Sequence, residues 1–161
     1  MFTALTNGRV VDGTGRPALD PATLLMQDST VTAVGPVEGV PLPPDCRVID
    51  VQGKTILPGL MDGHMHVTGM PGRLDATANL KAQLRASEIL RECLTWGTTT
   101  VGHAGGCDEN LALRDMIDER TLEGRARLAV SGVVTATGGH VRGEGVDGPW
   151  EIRKTVRRMA L

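Results

Sequence analysis

The densest chemical signal in this sequence is His64-Met65-His66. Side chains two apart on an extended segment point to one face, so a single strand can present both imidazoles to one cation. Imidazole is the common neutral ligand for zinc and also suits iron, nickel or manganese. A catalytic zinc shell takes three protein ligands plus water, so His64 and His66 as a metal-ligand pair need further donors. Read alone, two histidines in an apolar run are equally a surface or core pair. Asp62, two residues earlier, is expected on the same face as His64, either orienting an imidazole or making a structural polar contact.

The other two histidines each follow or flank glycines. His140 comes after Gly138-Gly139, and His103 lies in Val101-Gly102-His103-Ala104-Gly105-Gly106. Both are candidate substrate-binding residues. His140 reads alternatively as a solvated loop histidine and His103 as a satisfied buried one. Cys46, Cys93 and Cys107 are odd in number and lack C-x-x-C spacing, which points to reduced, mostly buried thiols in a reducing compartment. Arg153, Lys154, Arg157 and Arg158 read as the solvated face of a terminal helix.

The elements that must carry these residues fall into two styles. Residues 1–57 are rich in β-branched residues, Gly and Pro. Phe2–Leu5, Arg9–Val11, Thr23–Met26, Thr30–Val34 and Arg47–Val51 are candidate strands, with turns at Asn7-Gly8, Asp12-Gly13 and Asp28-Ser29. From residue 58 onward strands alternate with helices. Leu60–Val67 is the first strand. A helix over Asp75–Trp96 carries Leu80, Leu84, Ile89, Leu90, Cys93 and Leu94 and stops at Gly97. Thr98–Val101 is the next strand, followed by a helix from Asp108 to Gly124. Leu128–Thr137 is a third strand, and a last helix opens near Pro149. Such alternation implies an α/β parallel sheet. If that sheet is part of a barrel, the third strand has an unpaired outer edge and the apolar face away from the helices is left open by the strands that would cover it.

The stretch Leu57-Pro58-Gly59-Leu60-Met61-Asp62-Gly63-His64-Met65-His66, preceded by Val51-Gln52-Gly53-Lys54, resembles the signature of the amidohydrolase superfamily. Val10-Val11-Asp12-Gly13-Thr14-Gly15 is similar to that family's N-terminal hairpin. Trp96-Gly97-Thr98-Thr99-Thr100-Val101, Gly105-Gly106, Arg127 to Gly132 and Thr137-Gly138-Gly139-His140 resemble its imidazolonepropionase-like and Xaa-Pro dipeptidase-like branch.

The resemblance implies residues 1–57 as the N-terminal part of a composite β-sandwich. Residues 58–161 would be about three βα units of an incomplete TIM-like (β/α)8 barrel. It implies a divalent metal, zinc foremost, one or two in the full-length family, with His64 and His66 matching the first-strand ligands. It places His140 near substrate. At His103 the sequence departs from the family's usual arginine-then-aspartate, so an expected carboxylate is missing. The remaining family ligands, a lysine, two histidines and an aspartate, come from later strands and find no match here. The reading is therefore a metal-dependent hydrolase of carbon–nitrogen bonds in an amide, cyclic amide or dipeptide. This chain is expected to be a truncated, inactive N-terminal portion with no catalytic residue of its own. The alternative is a non-catalytic remnant or interaction fragment.

Composition narrows the partners. With 161 residues, 40% apolar, 22% charged and a net charge of −2, the chain reads as globular without a polyanion-binding surface. Aromatics make up 2%, with no Tyr, so base-stacking platforms and nucleic acid are disfavoured. No window approaches the roughly 18 apolar residues of a membrane span, and no export signal is visible. A cytoplasmic protein acting on a small molecule is expected, with homo-oligomerisation left open.

Overall fold

A computed structural model describes residues 1–68, 75–106, 108–140 and 145–159. The chain divides into two compact units, Met1–Pro58 and Gly59–Leu161. It is a mixed α/β protein.

The first unit is one five-stranded sheet. It comprises β1 (Phe2–Val10), β2 (Leu19–Gln27), β3 (Thr30–Pro36), β4 (Arg47–Asp50) and β5 (Thr55–Ile56), with a short 3-10 turn at Val37–Gly39. The order is β3-β2-β1-β4, with β5 also on β1. β1 to β3 form an antiparallel meander, whereas β4 and β5 run parallel to β1.

Sequence reading splits β1 at an Asn7-Gly8 turn, but the strand runs through it. Asn7 takes a left-handed φ of 57°, and the register with β2 slips on either side of Gly8. The partner segment kinks at the same level, where Gln52 and Gly53 have φ of 54° and 74°. Gly53 N–H then reaches Asn7 O at 2.7 Å and Arg9 N–H reaches Lys54 O at 3.0 Å, so pairing passes from β4 to β5 without losing backbone bonds. An Asn-Gly pair supplies the left-handed residue that a bulge needs as readily as it supplies a turn. Ala4, Leu25 and Val40 form this unit's buried cluster, flanked by Phe2, Ala33 and Cys46.

The second unit carries β6 (Leu60–Met65), α1 (Ala76–Thr95), β7 (Thr98–Ala104), α2 (Asp108–Asp118), β8 (Arg127–Ser131) and α3 (Pro149–Met159). The strands form a parallel sheet in the order β6-β7-β8, so among the described residues β6 and β8 each pair on one side. α1 opens on Asp75, whose carboxylate accepts from Ala78 N–H at 2.7 Å, and it stops at Gly97, whose φ of 90° suits glycine. Leu90, Ala86, Val67, Val101, Leu113, Ile117, Ala126 and Leu128 make one core between helices and sheet. Each large apolar side chain so buried contributes about 1.5–3 kcal/mol.

One buried face and two element ends differ from the sequence reading. Leu80 and Leu84 are each 61% exposed, so the buried stripe of α1 is centred on Ala86, Leu90 and Cys93. α2 ends at Asp118 rather than at Gly124, because Arg120 turns left-handed (φ 61°) and Leu122 N–H folds back to Met116 O at 2.9 Å. β8 ends at Ser131, where its carbonyl accepts from both Gly105 and Gly106 N–H and seals the strand end.

The sheet face away from the helices is also less apolar than expected. Val101 and Leu128 turn to the core, so their neighbours Thr100, Gly102, Arg127, Ala129 and Ser131 alternate to the other side. Leu60 and Met61, opposite Thr98 and Thr100 and 57% and 77% exposed, are the large apolar side chains there among the described strand residues.

Candidate metal centre

β6 does not alternate evenly, and that decides where its side chains go. Asp62 sits opposite Val101 and Met65 opposite His103, three residues on β6 against two on β7. The extra residue is a bulge across Gly63-His64. It puts Asp62 and Met65 on the same, helix-covered side. Asp62 therefore does not share the face of His64, contrary to the i, i+2 expectation. Its Oδ1 accepts from the backbone N–H of His64 at 3.0 Å, a local turn that holds the bulge. Gly102 on β7 leaves the room for it: a Cβ there would lie 2.8 Å from Gly63 O.

Past the bulge, Met65 packs against the core and Val67 is inside it, so His64 and His66 alternate to the other side. Both are exposed. Their rings meet edge to face with centroids 5.2 Å apart. His66 Nδ1 lies 2.8 Å from Ala104 O. A carbonyl only accepts, so Nδ1 carries the proton and Nε2 is left with a bare lone pair. A backbone-anchored imidazole of this kind is the usual arrangement of a metal-binding histidine. The donor chemistry thus fits a divalent cation on the His66 side, with His64 beside it. The set stops at two: among the described residues no group of three His, Cys, Asp or Glu converges on a cation-sized space.

His103 lies behind the pair. It is 1% exposed, and its ring stands edge-on to His66 with centroids 6.2 Å apart. Its Nδ1 is within 3.2 Å of Val67 N and 3.1 Å of Met65 O, and its Nε2 is 3.3 Å from Thr68 Oγ1. Thr68 Oγ1 in turn accepts from Asn110 Nδ2 at 3.5 Å, and Asn110 also donates to Gln83 Oε1 at 3.1 Å. This packed, hydrogen-bonded setting is that of a satisfied interior histidine. His140 is exposed, and no ring contact or hydrogen bond among the described residues joins it to His64 or His66.

A cavity of about 460 Å³ adjoins His66, lined also by Val67, Thr68, Lys81, Ala82, Arg85 and Ile89. Of the cysteines, Cys46 and Cys93 are free and half-buried, and Cys107 lies outside the described residues. Burial, helped by the Asp62 and Glu92 carboxylates, pushes the Cys93 thiol up, away from the reactive thiolate. The basic cluster Arg153, Lys154, Arg157 and Arg158 is exposed along α3, with Arg153 stacked 5.3 Å over Trp150.

Two parts of this site escape sequence reading. The Ala104 carbonyl is backbone and has no residue signature. Asn110 does leave one, a wholly buried polar side chain on the stripe with Leu113 and Ile117.

No protein-family model matches the chain. An enamidase of Eubacterium barkeri is 29% identical over 99 residues, which is 61% of this chain and 24% of that enzyme. An adenine deaminase of Ruegeria sp. (strain TM1040) is 31% identical over 100 residues, 62% of this chain and 14% of the deaminase. Among solved structures, an amidohydrolase superposes with a TM-score of 0.77 at 29% identity, over 99% of this chain and 44% of its own. A prolidase complexed with N-methylphosphonate-L-proline gives 0.74 at 28% identity, again over 99% and 44%. The chain therefore spans less than half the length of each. No helix among the described residues is long and apolar enough to cross a membrane. A shared fold at sequence identity above a quarter makes the chain similar to solved amidohydrolase-superfamily members, and the enamidase and adenine deaminase are consistent with that superfamily.

Proposed function

We propose that this chain supplies the first two metal ligands, His64 and His66, of a hydrolase of carbon–nitrogen bonds acting on a small amide, cyclic amide or dipeptide. The observation that carries the reading is the His66 imidazole, anchored through Nδ1 to Ala104 O beside the His64 ring at the end of the first parallel strand. Residues 1–57 are then part of the family's β-sandwich and residues 58–161 the opening βα units of its barrel. The two-unit division at Pro58 and the parallel order β6-β7-β8 support that assignment.

A divalent cation bound there, zinc foremost, supplies Lewis acidity toward a scissile carbonyl and toward water. This chain's own contribution is positional. The Asp62 carboxylate holds the His64 backbone, and Ala104 O fixes the His66 tautomer. With two donors among the described residues, the pair needs further donors to hold a cation tightly, and on this reading residues 1–161 alone bind one weakly and do not turn over substrate. His140, exposed in the segment that follows β8, remains a substrate-binding candidate; His103, the other candidate by the resemblance, is 1% exposed and lies behind His66. The two-donor set also favours a second reading, a non-catalytic interaction fragment.

The test is the intact mass and metal content of the protein isolated from its native source. A product near the length of its relatives with about one or two metals per chain supports the hydrolase. A metal-free 17.0 kDa species supports the fragment. For residues 1–161, zinc titration followed by calorimetry should show weak binding that His66→Ala abolishes. Binding unchanged in both His64→Ala and His66→Ala would remove the ligand assignment.

A further inference from the structure

His103 takes no part in the proposed ligand set, yet it is the largest polar side chain buried among the described residues of the second unit, and it touches the segment that carries His66. Its Nδ1 faces two groups it cannot serve at once, the Val67 N–H and the Met65 carbonyl. The choice is decided by what is left over. Val67 is 3% exposed, and a buried N–H has one chance of a partner, whereas a carbonyl has two lone pairs and tolerates losing one contact. Nδ1 therefore accepts from Val67, and the ring proton sits on Nε2, where it donates to Thr68 Oγ1. One rigid ring then grips the two residues that follow His66.

We propose that His103 is a positioning residue for His66. Held as the Nε2–H tautomer, it fixes Val67 and Thr68, and through them keeps His66 turned so that Nδ1–H stays on Ala104 O and Nε2 stays bare. Asn110, on α2, completes the clamp from behind by donating to the same Thr68 hydroxyl. His66 and His103 thus carry opposite tautomers at a centroid separation of 6.2 Å. The geometric part of this proposal stands by itself; its consequence for a cation rests on the ligand reading above.

Long-range proton–nitrogen NMR of the 15N-labelled, metal-free chain at neutral pH reads both tautomers directly. Wild type should show His66 protonated at Nδ1 and His103 at Nε2; a proton on His103 Nδ1 overturns the proposal. His103→Leu should turn the His66 nitrogens into averaged values. His103→Asn, whose Oδ1 can accept from Val67 N–H in place of Nδ1, should restore them. Ile117→Ala, buried in the same core, serves as the control for mere loosening. If it averages the His66 signals as much as His103→Leu does, or if His103→Leu leaves them unchanged, His103 is only packing. Should His103→Leu fail to fold, the wild-type and His103→Asn spectra still decide. In cobalt titration His103→Leu should bind about ten- to a hundredfold more weakly than wild type. Wild type that binds no cobalt sinks the ligand reading and leaves the tautomer result standing.

Discussion

Both units contain a glycine that lets two strands pass unusually close, and the two differ in what stands opposite. In the first unit a Cβ on Gly8 would meet first two side chains, Val51 Cγ2 at 2.7 Å and Ile56 Cδ1 at 2.9 Å, and backbone only at 3.3 Å, the Lys54 carbonyl. In the second, a Cβ on Gly102 would meet the Gly63 carbonyl, O at 2.8 Å and C at 3.1 Å. Backbone cannot turn aside. Close approach in the first unit therefore serves packing, while in the second it fixes the bulge that turns His64 and His66 away from the core. The units also divide their cores unequally, with three buried residues in the first cluster and eight in the second among the described residues.

The largest effect should come from that unequal core. Leu90→Ala removes a wholly buried side chain from the eight-residue cluster and should cost about 3 kcal/mol, within the 2–5 typical of such truncations. Every described α-helix lies in the second unit, so loss of helical circular dichroism in urea reads this directly. Val48→Ala in the first unit, 53% exposed, should change stability by about 0.5 kcal/mol or less. An equal loss at this exposed position, outside the first unit's cluster, would break the link between burial and cost.

Next in size is the pair of glycines. Gly102→Ala should cost about 1–3 kcal/mol and move the ring resonances of His64 and His66, since the added methyl drives Gly63 outward. Gly8→Ala should cost less than Gly102→Ala and leave those resonances alone. If the order reverses, flexible side chains resist crowding more than backbone does and the comparison fails. Smaller again is Asp75→Ala, which removes the cap on α1 and should cost about 1 kcal/mol by the same helical signal.

These cases also mark what sequence could and could not say. His64 and His66 stand out because i, i+2 spacing on a strand is local, and α1 because its apolar repeat, aspartate cap and terminal glycine are local too. The bulge is not legible in the sequence, since it depends on how β6 registers against β7, three residues against two, which no single segment encodes. It reversed the expected face of Asp62. Asn7-Gly8 misled for a related reason: one dipeptide satisfies a turn or a bulge, and only the matching kink at Gln52-Gly53 selects between them. Arg120 ended α2 ahead of Gly124 through a left-handed backbone that its side chain gives no hint of.

The smallest expected effect compares an exposed aspartate in each unit. Thr14, through its hydroxyl and N–H, and then Arg16 hold the Asp12 carboxylate down to a pKa of about 2, from an ordinary 3.8. Thr137, through the same two groups, lowers Asp147. A depressed carboxylate contributes stability above its unfolded value and loses it as pH falls through the folded one. For Asp12 that window runs from 3.8 down to about 2. Both groups are solvent-exposed, so the dependence should be shallow and should weaken with salt. Carbon-detected NMR of the carboxylates gives the midpoints. Asp12→Asn should flatten the acid limb of the thermal midpoint, and Asp147→Asn should do so only if the Thr137 contact persists in solution. Asp12 bonds within four residues of its own turn, whereas Asp147 reaches ten residues back to Thr137, so local geometry protects the first more firmly. A normal midpoint at Asp12 with a depressed one at Asp147 would invert that ranking.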